Sequence, residues 1–156
     1  MKKNILHNKP LEEFHSDLLS GKTSIFAVTE EIIENYNYSE SSKSAFVEFN
    51  EDTIENSATV IDKIDYDKFA LLGVPVSIKD LYGVKGYKTR AGTPRELPNK
   101  WETQGPIVNA LTSNSSLITG KTHTVEFAFG GVGINPHWGT PINPWDEKNH
   151  RVPGGS

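Results

Sequence analysis

GVPVSIKD, residues 73–80, predicts a buried strand that ends in a lysine. Residues 74–78 are small or apolar and rich in β-branched side chains, which favour a strand covered on both faces. Lys79 follows, directly before Asp80. It either reaches the surface or pairs with a carboxylate such as Asp80, or it is kept away from water. Burial lowers the pKa of an amine, so a dry lysine can act as a base near neutral pH. These eight residues leave both alternatives open.

Composition limits the classes of protein that the chain can represent. Its 156 residues are enough for one domain, and the net charge of −4 with no large basic cluster argues against direct nucleic-acid binding. The absence of cysteine excludes disulfides, a thiol nucleophile and thiolate zinc sites, and is compatible with a reducing cytoplasm. Since no apolar run reaches membrane-spanning length, we expect a soluble, cytoplasmic protein without a membrane partner.

Apolar residues recur at helical spacing in the first part of the chain. The pattern predicts helices over residues 11–20, 24–36 and 51–63, a serine-rich loop over 37–44, and a short strand over 45–49. We expect residues 1–70 to form an N-terminal helical segment of the same domain, packed on its outside.

Glycine and proline become frequent after residue 71, and strands and helices then alternate. The sequence predicts a helix over residues 106–113, a strand over 116–119 and a helix over 121–129, separated by long ordered loops. Such alternation favours an α/β fold.

Two near-matches to ligand-binding motifs fail on inspection. SSLITGKT, residues 115–122, lacks the leading glycine of a phosphate-binding loop, because Ser115 occupies that position. His123 and Glu126 lie three apart, but no HExxH motif or thiolate accompanies them. We therefore expect neither a cofactor nor a metal ion.

Three motifs together resemble the amidase signature family of serine hydrolases. They are GVPVSIKD, ITGKTHTVEFAFG at residues 118–130, and GGVGINPHWGTPINPWD at 130–146 followed by RVPGGS at 151–156. The resemblance implies the N-terminal part of an amidase-signature fold, truncated, with a mixed central sheet flanked by helices and the N-terminal helices packed outside. Residues 71–156 would be the first part of the amidase core, ending at its bridging serine. The last motif is so rich in Gly, Pro and Asn that tertiary contacts must fix it.

The family's mechanism would account for the lysine at the strand end. Its catalytic triad is Ser–cis-Ser–Lys, and the resemblance implies that Lys79 is the base and Ser156 the bridging serine, after a cis peptide bond from Gly155. Neutral Lys79 would accept a proton from Ser156, which relays the proton lost by the nucleophile. On this scheme Lys79 lies at the end of a central strand. Lys79→Ala should then cost several orders of magnitude in turnover while the fold stays intact or becomes more stable, whereas Lys121→Ala and His123→Ala should be far milder.

The given sequence stops at Ser156, before the family's nucleophile and oxyanion hole. We therefore expect the N-terminal portion of an amide hydrolase that cleaves a carboxamide C–N bond in a small-molecule substrate, with this chain alone inactive. The alternatives are the amidase subunit of a tRNA-dependent amidotransferase, which needs companion subunits, and a non-catalytic truncated remnant. The resemblance leaves a homodimer open.

Overall fold

A computed structural model describes residues 5, 9–65, 68–146 and 148. Helices pack on both faces of a small mixed sheet. The helices are α1 (Leu11–Leu19), α2 (Ile25–Tyr38), α3 (Glu40–Ala45), α4 (Glu51–Ile61) and α5 (Pro106–Ser113); the strands are β1 (Phe46–Glu48), β2 (Pro75–Lys79) and β3 (Leu117–Thr122). Short 3₁₀ turns cover Asn99–Glu102 and Glu126–Ala128.

The three strands lie in the order β1–β3–β2. β1 runs antiparallel to β3, and β2 runs parallel to it, so the sheet is mixed, as predicted. The register pairs Ile78 with Lys121 and Lys79 with Thr122. β2, predicted to be central, is an edge strand of the described sheet, because its hydrogen-bonded neighbour lies on one side only.

The core consists of clusters on the two faces of the sheet. One joins α2 and α4 to β3 through Ile25, Ile54, Ala58, Ile61, Leu72 and Leu117; another joins α5 to β2 and β3 through Ile78, Val84, Tyr87, Val108 and Ile118. Leu117 and Ile118 belong to different clusters because successive side chains of a strand point to opposite faces. Within the described part of the chain, no helix is both long and apolar enough to cross a membrane.

Short polar side chains cap the starts of α2, α3 and α4. Ser24 accepts a hydrogen bond from the Ala27 amide at 3.2 Å, and Asn50 accepts one from the Thr53 amide at 2.9 Å, so α2 and α4 begin as predicted. The predicted loop at 37–44 is wrong, because Ser39 caps α3 by accepting from the Ser42 amide at 3.2 Å. Ser39 stands between α2 and α3, and its side chain caps the start of α3.

The predicted helix over 121–129 is also wrong. β3 continues to Thr122, so Lys121 is a strand residue. Phe127 and Ala128 then have φ values of 50° and 54°, in the left-handed region that a right-handed helix excludes. The chain consequently leaves the sheet at residue 123 as a loop.

Candidate active site

Lys79 lies at the carboxyl end of β2, as the sequence predicts, and is half-buried. Its carbonyl accepts hydrogen bonds from the amides of Leu81 at 2.7 Å and Tyr82 at 3.1 Å, so the chain turns immediately after the strand. The carboxyl end of β3 lies beside it, through the pairing of Lys79 with Thr122. Ligands of α/β sheets bind at this edge, outside the carboxyl ends of parallel strands.

Asp80 pairs with Lys121 rather than with Lys79. The Lys121 ammonium lies 3.0 Å from the Asp80 carboxylate, and both side chains are completely buried. The same ammonium donates to the carbonyl of Lys88 at 3.0 Å and to the hydroxyl of Thr89 at 3.3 Å. All three donors of the ammonium therefore have an acceptor, as burial of a charge requires.

The Asp80 carboxylate also organises the loop over residues 88–93. It accepts hydrogen bonds from the backbone amides of Arg90 at 3.2 Å and Gly92 at 3.4 Å. Gly92 has a φ of 73°, and a Cβ there would lie 2.7 Å from the carbonyl oxygen of Thr124. The loop can pass this close to the end of β3 only because residue 92 has no side chain.

Asn135 joins the Gly- and Pro-rich segment to the same loop. This buried side chain donates from Nδ2 to the carbonyls of Gly92 at 2.7 Å and Thr124 at 2.9 Å. Its Oδ1 accepts from the amides of His137 at 2.8 Å and Trp138 at 3.2 Å. These contacts confirm the prediction that tertiary contacts fix this segment for the part around Asn135; residues 151–156 lie outside the described residues.

Two further contacts close the loops on each other. The Trp138 indole donates to the carbonyl of Thr93 at 2.8 Å, and the Arg90 guanidinium lies 5.4 Å from the centre of the Trp138 ring. Arg90 also binds Glu48 of β1 at 2.9 Å. These contacts hold the edge of the sheet around the end of β2 in one arrangement.

His123 is a buried histidine at the end of β3. Its Nε2 lies 2.8 Å from the carbonyl of Gly139, which requires a proton on Nε2, and Nδ1 has no partner among the described residues. Burial lowers the pKa of His123, although the hydrogen bond to Gly139 opposes this shift. The ring is therefore neutral at neutral pH and supports the segment that contains Gly139.

Of the two residues predicted to be catalytic, the structure describes the position of one. Lys79 lies at the edge of the sheet where the loops meet; Ser156, with the Gly155–Ser156 peptide bond, lies outside the described residues. Sequence reasoning missed the pairing of Asp80 with Lys121. The signal was present, because Lys121 follows the apolar run of SSLITGKT just as Lys79 follows that of GVPVSIKD.

The comparisons with known proteins agree with this fold. The family model described as Amidase matches residues 27–156, and the chain belongs to the amidase family. It is 32% identical over 152 residues to a subunit of the glutamyl-tRNA(Gln) amidotransferase of Streptococcus pneumoniae (strain Hungary19A-6), with 96% of this chain and 30% of the relative covered. It is 54% identical over 98 residues to the 2-amino-5-chloromuconic acid deaminase of Comamonas testosteroni, covering 63% of this chain and 21% of that enzyme.

A solved structure of an amidase matches the fold with a TM-score of 0.79 and 30% identity. The match covers 89% of this chain and 32% of the amidase chain. The chain thus spans about a third or less of the length of these relatives.

Proposed function

We propose that these residues form the N-terminal part of the catalytic domain of an amide hydrolase. The domain cleaves a carboxamide C–N bond in a small molecule by a Ser–cis-Ser–Lys mechanism, with Lys79 as the base and Ser156 as the bridging serine. Membership of the amidase family supports the reaction class. The observation that carries the proposal is the position of Lys79 at the carboxyl end of β2, beside the end of β3.

Each residue has a defined task in this mechanism. Lys79 accepts the proton of the Ser156 hydroxyl, and Ser156 in turn accepts the proton of the nucleophilic serine as that serine attacks the carbonyl carbon. The proton returns along the same path to the leaving amine, and water then releases the acid. In the family scheme the nucleophile follows the bridging serine later in the chain, so the active unit is a polypeptide of the relatives' length. We expect it in the cytoplasm.

The test uses the complete enzyme, which carries residues 1–156 and the polypeptide encoded after the Ser156 codon. Release of ammonia or amine is measured on aliphatic and aromatic carboxamides. We expect Lys79→Ala to lower kcat by several orders of magnitude while the enzyme stays folded. Lys63→Ala, at an exposed lysine just after α4, is the control and should match the wild type. A Lys79→Ala enzyme that keeps a tenth of its activity would rule out the proton relay.

A second candidate is hydrolytic deamination of an amino-substituted unsaturated acid. The 54% identity to the Comamonas deaminase over 98 residues favours it. In that reaction water replaces the amine at a carbon–carbon double bond and ammonia leaves. The same ammonia assay on 2-aminomuconate-type acids, with carboxamides in parallel, separates the two candidates.

The 32% identity to an amidotransferase subunit over 152 residues supports a third assignment. The chain would then belong to an amidase subunit that delivers ammonia to a companion subunit. Co-purification of companion subunits, with ammonia release dependent on them, distinguishes this assignment from a stand-alone enzyme or homodimer. If the complete polypeptide shows no turnover either with or without companion subunits, the remaining assignment is a non-catalytic remnant.

A further inference from the structure

We infer that the buried ion pair between Lys121 and Asp80 positions Lys79, so that both members are positioning residues for the proposed base. This inference rests on the proposed role of Lys79. Asp80 follows Lys79 in the chain, and its amide donates to the Thr122 carbonyl at 3.0 Å, so the parallel pairing of β2 and β3 extends past the lysine. The backbone on both sides of Lys79 is thereby fixed.

The alternation of strand side chains separates the two lysines. Ile78 and Asp80 lie on the face of β2 that Lys121 occupies on β3, because Ile78 pairs with Lys121. Lys79 pairs with Thr122 and therefore lies on the opposite face, together with the exposed Ser77. The ion pair therefore lies on the opposite face of the sheet from the Lys79 side chain. It supports the strand that carries the base without occupying the space on the Lys79 face.

The pair also holds the loop over residues 88–93. Its two charged groups bind four points on the loop over residues 88–93: the Lys88 carbonyl, the Thr89 hydroxyl, and the amides of Arg90 and Gly92. A single apolar replacement would remove two of these four contacts and leave one full charge uncompensated in the interior. The expectation of a mild Lys121→Ala effect is therefore replaced by that of a strong one.

The two single variants leave charges of opposite sign near Lys79. In Lys121→Met the unpaired Asp80 carboxylate favours the protonated form of the neighbouring Lys79 amine, whereas in Asp80→Asn the unpaired Lys121 ammonium disfavours it. The other titratable and charged groups on the surrounding elements are unchanged in both variants: Lys88, Arg90, Glu48, Tyr87 and His123. The two variants should therefore move the acid limb of the kcat/KM profile in opposite directions.

The experiment measures kcat, KM, the pH dependence of kcat/KM and the melting temperature in the complete enzyme. We expect Lys121→Met and Asp80→Asn each to lower kcat at least about tenfold, with KM within about twofold of the wild type. The acid limb should move to higher pH in Lys121→Met and to lower pH in Asp80→Asn. The control removes the exposed ion pair between Lys68 and Asp65, also 3.0 Å long, by Lys68→Met and Asp65→Asn. It should change none of these quantities.

The double variant Asp80→Asn/Lys121→Met keeps the experiment decisive if a single variant fails to fold. Replacing both members of a buried pair by neutral groups of similar shape is often neutral for stability. A positioning role predicts a folded double variant whose acid limb returns to the wild-type pH but whose kcat stays at least about tenfold low. Recovery of wild-type kcat in the double variant, or an unmoved acid limb in folded single variants, would overturn the inference. If either of these results is found and Lys79→Ala still loses activity, the positioning inference fails but the proposed function stands.

Discussion

The side-chain amide of Asn135 donates a 2.7 Å hydrogen bond to the backbone carbonyl of Gly92, 43 residues earlier in the chain. Because the Asp80 carboxylate accepts from the Gly92 amide, both sides of this glycine are held. One peptide segment thus connects the end of the strand that carries Lys79 to the Gly- and Pro-rich segment. The arrangement of the site depends on this connection.

We expect Asn135→Ala to lower the free energy of unfolding by about 3 kcal/mol, since each buried group left without a partner costs about 1–3 kcal/mol. The carbonyls of Gly92 and Thr124 would lose their donor. The control is Asn143→Ala, because Asn143 accepts from the Trp145 amide at 3.0 Å within its own turn. Urea titration of each variant checks the difference, and equal losses would contradict a tertiary role for Asn135.

Gly92 and Gly86 form a matched pair for testing the close approach of the loop to β3. Both have positive φ, 73° and 89°, but an added Cβ meets the Thr124 carbonyl at Gly92 and nothing within 4 Å at Gly86. Gly86→Ala should therefore cost only the backbone strain, about 1–2 kcal/mol, and Gly92→Ala at least about 3 kcal/mol. Thermal unfolding measures both. Similar costs would show that the loop can move away from the end of β3.

The lowered pKa of His123 predicts a pH dependence of stability. The unfolded chain binds a proton at this histidine near pH 6.5, whereas the folded chain resists protonation, so the unfolded state binds more protons as the pH falls. This contribution to stability is complete above about pH 6.5 and is lost below it. The melting temperature should fall between pH 7 and pH 5, and less so in His123→Gln, whose side-chain amide can still donate to Gly139. His137→Gln, at a half-exposed histidine, is the matched substitution for comparison.

The 156-residue chain by itself should have no amidase activity. Acyl transfer needs an activated nucleophile and donors for the oxyanion, and loss of one such donor costs about 3 kcal/mol of transition-state stabilisation. The assay uses purified chain on aliphatic and aromatic amides, beside its Lys79→Ala variant. Turnover that disappears in the variant would reveal a nucleophile within these residues.

The isolated chain should also be poorly soluble. Phe129 and Trp145 expose 95% and 94% of their surface, and Phe127 exposes 59%. Large exposed apolar side chains promote association. We expect Phe129→Ser/Trp145→Ser to raise the concentration at which the chain precipitates, measured by light scattering. For the wild-type chain, addition of the C-terminal part of the enzyme as a second chain should also raise the concentration at which precipitation begins. Monodisperse wild-type chain at high concentration would contradict this prediction.

Local sequence patterns determined most of the helices and strands. Apolar spacing and capping residues predicted α1, α2, α4 and α5 because these signals act within a few residues of the chain. Where one residue type serves two roles, the pattern failed: Ser39 begins α3 inside a predicted loop. The motifs also indicated the family, which the match over residues 27–156 shows.

The sequence by itself determined that the strand over residues 75–79 ends in a lysine. The preference of β-branched residues for extended backbone is a local effect, so the residues of the strand and their neighbours are enough to predict it. It did not determine which partner Asp80 takes. Lys79 is adjacent in the chain, but side chains of consecutive strand residues point to opposite faces, so Lys121, 41 residues away, reaches the carboxylate instead. The register between β2 and β3 decides that pairing, and the register exists only once the strands have packed together.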